Sequence, residues 1–203
     1  MLSGRIAIIV GKGGHAHVIA SLLPHARIRF LVPQDPRGDD ILQADFFAGP
    51  PLPDADYYIG IGDNAVRRSY FDRLKGLGLT IANCIAPTAW TADDASLGEG
   101  VFLGPGAVVG ARARLGDNVI VNTLSSVDHD CAIGRDTQLC PGVTLGGRVT
   151  VGSACFIGMK SGLVPDLTLG DRVVVRAGAL VIRSAPDGAL LSGAPARIVR
   201  DAG

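Results

Sequence analysis

Counting by six from Leu97 returns Leu103, Val109, Leu115, Val121, Val127, Ile133, Leu139, Leu145, Val151, Ile157, Leu163, Leu169, Val175 and Val181 without exception. The series runs back to Ile85, interrupted only by the polar Thr91. Four residues after each aliphatic stands a residue that is mostly small or β-branched, such as Ala107, Val119, Ser125, Cys131, Thr137, Cys155 or Ser161. The residue directly after it is often glycine, as at Gly98, Gly104, Gly110, Gly134, Gly146 and Gly158. A short fixed period predicts a solenoid in which each hexad is one short strand plus a turn. The aliphatic residue points inward and stacks on its equivalents in neighbouring coils. The residue four places on also faces a narrow interior, so it stays small. Glycine is expected to let the chain round each corner without Cβ strain. No coil buries its apolar face alone, so stability comes from stacking.

The residues before Ile85 follow other periods. Apolar runs at 6–10, 27–32, 56–61 and 79–85 read as strands of a small parallel sheet. Helices are expected over 15–23 and over 65–77, the second opened by Asp63 and Asn64 and closed by Gly76 or Gly78. Residues 33–53, rich in Pro, Asp and Gly, read as a loop. The expected organisation is an α/β Rossmann-like half-fold over 1–84 and an all-β solenoid over 85–203, its end capped by the tail 186–200.

Composition narrows the chemistry. Lysine plus arginine equals aspartate plus glutamate at 19 each, so no net charge steers the chain to nucleic acid or anionic lipid. Aromatics are 5% against 47% hydrophobic residues, which suits stacked strands. Arg5 interrupts the first residues, and the apolar run 6–10 is too short for a signal core or a membrane span. Cys84, Cys131, Cys140 and Cys155 lack CxxC spacing. Reduced thiols in a cytoplasmic protein are therefore expected, with neither disulfides nor a zinc site. Glu99 is the only glutamate, so a catalytic carboxylate is expected to be an aspartate.

Several motifs join the repeat: Gly11-Lys12-Gly13-Gly14-His15-Ala16, Gly60-Ile61-Gly62-Asp63-Asn64 with Arg67, Asn122-Thr123, Asp128-His129-Asp130-Cys131, and Gly193-Ala194-Pro195-Ala196-Arg197. In this combination the chain resembles the hexapeptide-repeat sugar acetyltransferases of the sialic acid O-acetyltransferase, bacillosamine and perosamine N-acetyltransferase group. The resemblance implies a left-handed parallel β-helix, a homotrimer, and acetyl-CoA as cosubstrate with no metal. It implies acetylation of a nucleotide-linked deoxyamino sugar, a precursor of surface polysaccharide or glycan. His129 would be the base and Asp130 its orienting acid, an aspartate where many relatives have glutamate. Gly147 would offer a backbone N–H to the thioester carbonyl. Gln138 would lie near the thiol end of CoA, with Met159 and Ala177 along the pantetheine. The N-terminal half-fold would grip the sugar nucleotide.

The residues themselves support part of this. His129 is the only histidine of the repeat half and takes the third place of its hexad, at a corner. Acetyl transfer to an amine or hydroxyl needs a base, and imidazole has a suitable pKa. Asp128 and Asp130 flank it, and either carboxylate is a candidate to fix its tautomer. Gly11, Gly13, Gly14 and His15 follow a strand and open a helix, matching a G-x-G-x-x-A pattern whose N–H groups can hold a diphosphate. A dinucleotide site is the competing reading of that loop. Asp63 is a sugar contact or a helix cap, and Asn122 a substrate contact or part of an asparagine ladder. Sugar O-acetylation uses the same base and donor and stays open. A non-catalytic β-helix binding protein is the alternative of another class.

Overall fold

The computed structural model describes residues 5–24, 26–52 and 54–199. Pro53 and Arg200, the outer ends of the loop and tail read from the sequence, lie outside these. The chain divides after Cys84 into two compact units. Among the described residues no helix is long and apolar enough to cross a membrane.

The first unit runs β1 (Ile6–Val10), α1 (Gly14–Ser21), β2 (Arg27–Val32), β3 (Ile41–Leu42), α2 (Gln43–Ala48), β4 (Ala55–Ile59) and α3 (Asn64–Gly76). Its strands form a parallel sheet in the order β3-β2-β1-β4. β1 is central and reads as an unbroken apolar run because both its faces are covered: Ala7, Ile8, Ile9 and Val10 are all buried. Helix α3 turns Arg67, Phe71 and Leu74 inward at helical spacing. It starts where the Asp63 side chain accepts the Val66 N–H at 2.9 Å.

Two sequence expectations fail in this unit. The segment 33–53 is not all loop, since it contains β3 and α2. Helix α2 has no side-chain cap, and packing holds it: Phe46 is buried with its ring 5.9 Å from that of Tyr57. The apolar run 79–85 is not one strand. The Leu79 N–H still donates to Leu74 O at the end of α3, only Ile81 bridges Tyr57, and Cys84–Ile85 is a separate two-residue strand.

The second unit is a left-handed parallel β-helix. Each coil takes 18 residues, so Ser126 pairs with Val108 before it and Thr144 after it. Three sheets form its faces. The first carries Phe102–Leu103, Ile120–Val121, Gln138–Leu139, Phe156–Ile157 and Val174–Val175. The second carries Trp90–Thr91, Val108–Val109, Ser126–Val127, Thr144–Leu145, Gly162–Leu163 and Leu180–Val181. The third carries Ser96–Leu97, Arg114–Leu115, Ala132–Ile133, Thr150–Val151 and Thr168–Leu169. In each pair the second residue is the period-six aliphatic, and from Leu103 to Val181 all of these are buried. The inward polar residues are satisfied by backbone: Ser125 Oγ donates to Cys140 O at 2.8 Å, and Thr137 Oγ1 to Gly152 O at 2.8 Å. Residues Leu190–Gly193 and Ala196–Ile198 close the unit as an antiparallel pair, with Leu191 and Ala196 in the core.

The glycines after the aliphatics do not turn the corners. Left-handed backbone falls two places later, at Arg112, Asn118, Leu124, Asp130, Asp136, Arg148 and their equivalents, with φ between 56° and 62° at these six. The glycines mark close approach instead. A Cβ on Gly110 would lie 2.8 Å from the His129 nitrogen, and one on Gly134 would lie 2.6 Å from Gly152 C. The coils stack too tightly there for any side chain.

Candidate active site

His129 leaves the second face at the corner that leads to the third. Its backbone N–H donates to Asp128 Oδ1 at 2.7 Å, and its carbonyl accepts the Arg148 N–H at 2.9 Å. The ring is oriented by the other neighbour: Nδ1 lies 2.8 Å from Asp130 Oδ2. Asp130 thus meets the imidazole, while Asp128 meets the backbone. A carboxylate at Nδ1 favours the tautomer with its proton there, leaving the Nε2 lone pair available as a base. The ring lies over Gly147 of the next coil, where a Cβ would come within 2.5 Å of Nε2. Gly147 is therefore required as the space the imidazole occupies, apart from any role for its N–H. The His129 side chain is 42% exposed.

A column of alternating charge runs along this corner at the coil repeat: Asp94, Arg112, Asp130, Arg148 and Asp166. Arg112 donates to Asp130 twice, from Nε to Oδ1 at 2.7 Å and from Nη2 to Oδ2 at 2.9 Å. Arg148 holds Asp166 the same way, at 2.6 and 2.8 Å. The Arg112 bonds, and next the His129 bond, hold the Asp130 carboxyl far below the usual carboxylate range, so it is anionic at any working pH. Sequence reading missed Arg112, although a scan at intervals of 18 would have found the column.

A groove of about 410 Å³ on the second face ends at His129. Its walls include Val108, Gly110, Ala111, Val127 and Leu145, with the exposed Trp90 at its far rim. The other predicted residues of this unit stand elsewhere. Asn122, Met159 and Ala177 occupy the corner between the first and second faces, and Gln138 lies on the first face. Met159 is 50% exposed, and Ala177 packs against Gly158, where a Cβ would be 2.5 Å from its nitrogen. The Asn122 side chain accepts the Thr123 N–H at 2.8 Å. No asparagine ladder exists, because its coil equivalents are Gly104 and Cys140. Within one chain the His129 corner and the Met159 corner are thus distinct.

In the first unit Gly11 has φ +89°, the left-handed turn by which β1 leads toward α1. Gly13 is the N-cap of α1 and Gly14 its first residue, and a Cβ on either would meet nothing within 4 Å. The approach to this helix start is therefore open. A cavity of about 370 Å³ beside it is lined by Lys12, His17, Val32, Pro33, Gln34, Asp35 and Arg37. Gly60 permits close packing of β4 on α1, since a Cβ there would come 2.5 Å from Ala16 Cα. Arg67 is 1% exposed and donates from Nη1 to Gly62 O at 3.1 Å. Burial, and next the charge of Arg67, push the His15 pKa down to about 4, so this imidazole is neutral at physiological pH. Asp63 is a helix cap, as described above. All four cysteines are buried, and none of them forms a disulfide. Among the described residues no group of three or more His, Cys, Asp or Glu side chains is arranged to hold a metal ion.

Residues 148–183 match the family model described as the hexapeptide repeat of succinyl-transferase. Over 96% of its length the chain is similar to all of the acetyltransferase domain of PglB from Neisseria gonorrhoeae, at 30% identity and a TM-score of 0.89. It is similar to a histidine-to-alanine mutant of GDP-perosamine N-acetyltransferase from Caulobacter crescentus, solved in complex with CoA and GDP-perosamine. There the identity is 30%, the coverage 97% of each chain and the TM-score 0.91. WeeI from Acinetobacter baumannii matches at 25% identity over 96% of this chain and 99% of its own, with a TM-score of 0.86.

Proposed function

We propose a specific reaction on the premise that this chain belongs to the hexapeptide-repeat sugar acetyltransferases, the family of the PglB acetyltransferase domain and perosamine N-acetyltransferase. The reaction is transfer of the acetyl group of acetyl-CoA to the amino group of a nucleotide-linked deoxyamino sugar. The observation that carries it is the His129–Asp130 pair: Nδ1 is tied to a carboxylate at 2.8 Å, and His129 lines an open groove. The amine attacks the thioester carbonyl as His129 Nε2 takes its proton. The C–S bond then breaks, and the imidazolium returns the proton to the departing sulfur. The products are the N-acetyl sugar and free CoA, with no covalent enzyme intermediate. The PglB domain has been solved with acetyl coenzyme A and the perosamine enzyme with CoA and a GDP-sugar, which supports both substrates.

The open N-terminus of α1 supports a sugar-nucleotide site in the first unit, its diphosphate held by N–H groups at Gly13 and Gly14. The separation of the His129 and Met159 corners supports a homotrimer, in which one subunit's histidine faces the donor residues Gln138, Met159 and Ala177 of the next. A cytoplasmic enzyme is implied, since both substrates are made there.

Free thiol released from acetyl-CoA with UDP-, GDP- and CMP-linked amino sugars tests the reading. One of these acceptors should accelerate release, and His129→Ala should lower kcat by at least about 10²-fold. Undiminished turnover in that variant removes His129 from the role. Sedimentation of a fully active monomer would overturn the trimer.

A further inference from the structure

We propose that Arg112 is a positioning residue for the His129–Asp130 pair, setting the tautomer of the imidazole. The proposal rests on the reading of His129 as the base. Asp130 is short and sits at φ 60°, so its carboxylate is free to turn toward either neighbouring coil. Arg148 on the following coil is already engaged by Asp166 through two hydrogen bonds. Arg112 on the preceding coil has its backbone N–H fixed on Asp94 Oδ1 at 3.0 Å, and its guanidinium grips both oxygens of Asp130. The alternation of charge along the column thus assigns Asp130 to Arg112. The fork of two parallel bonds fixes the carboxylate plane and brings Oδ2 to His129 Nδ1.

Oδ2 is shared. It accepts from Arg112 Nη2 at 2.9 Å and faces His129 Nδ1 at 2.8 Å. Arg112 thus holds Oδ2 in place as the acceptor for a proton on Nδ1. A role in fold stability is a poor account of this geometry, because Arg112 is 60% exposed and an exposed ion pair adds little.

The test is the imidazole NMR signal of His129 in the full chain, assigned by its loss in His129→Ala, followed by kinetics. In the wild type the neutral ring should be the Nδ1–H tautomer. Arg112→Gln should mix the tautomers. Arg112→Lys, which keeps the charge but not the fork, should not restore the tautomer. With a working acceptor, Arg112→Gln should lower kcat about tenfold and leave the KM for acetyl-CoA within about twofold. On an Asp130→Asn background the same change should cost nothing further. An unchanged tautomer in Arg112→Gln, or losses that simply add to those of Asp130→Asn, would overturn the proposal. The NMR arm needs no acceptor, so a wild type that fails to acetylate any sugar would sink the proposed reaction while the role of Arg112 is still read.

Discussion

At the scale of single residues, the site was legible where chemistry is rare and hidden where it depends on stacking. One histidine in a half of the chain built from aliphatics and glycine stands out, and its neighbours Asp128 and Asp130 stand out with it. Which aspartate serves the ring is not written in the order of residues, since the two flank it symmetrically. The left-handed corner at Asp130 decides, by turning that side chain along the ring and leaving Asp128 to the backbone. Gly147 was picked out for its N–H, but the structure makes its missing Cβ the first requirement. Gly147→Ala should therefore displace the imidazole and lower kcat by about 10²-fold, with little change in melting temperature. A crystal structure of the variant with the ring unmoved, or near-normal turnover, would contradict this.

Among elements, the hexads were read in register and their glycines for the wrong reason. The aliphatic period survives because each inward side chain needs a partner above and below. Glycine at the next position survives because backbone passes within van der Waals distance of where a side chain would start. The two kinds of glycine should respond differently to a methyl group. Gly134→Ala drives a Cβ into the backbone of Gly152 and Ser153 and should cost about 3 kcal/mol. Gly178 has φ +71° with open space around it, and its place in other coils is filled by Lys160 and Leu124 as well as by glycine, so Gly178→Ala should cost only about 1 kcal/mol. Urea denaturation of the two variants compares them, and equal losses would mean that coil spacing is softer than the contacts imply. In the first unit α2 escaped a pattern-based reading because its flanks are rich in Pro and Gly, and its stability comes from Phe46 against Tyr57.

For the whole molecule, the two different periods on either side of Ile85 were enough to reveal two architectures. The acid sensitivity of the first was not, because it depends on a burial that no spacing announces. His15 is held neutral down to about pH 4, whereas an unfolded chain protonates it near 6.5. As pH falls through that interval the unfolded state takes up the proton first, so this contribution is complete above about 6.5 and declines toward 4. The loss is at most about 3 kcal/mol. Measured against His15→Gln, the wild type should lose its stability advantage over that window, and a difference that stays flat with pH would refute the assignment. The solenoid has a further property. Ala111, His129 and Gly147 hold one place in three consecutive coils, so the unit is a ruler graduated in marks of about 4.8 Å. Removing one complete coil would shorten the ruler by a single mark and keep every inward residue inward, whereas removing one residue more or fewer would turn the following faces inside out. Reach along the axis can thus change only in whole marks, while the chemistry at each mark is open to single substitutions.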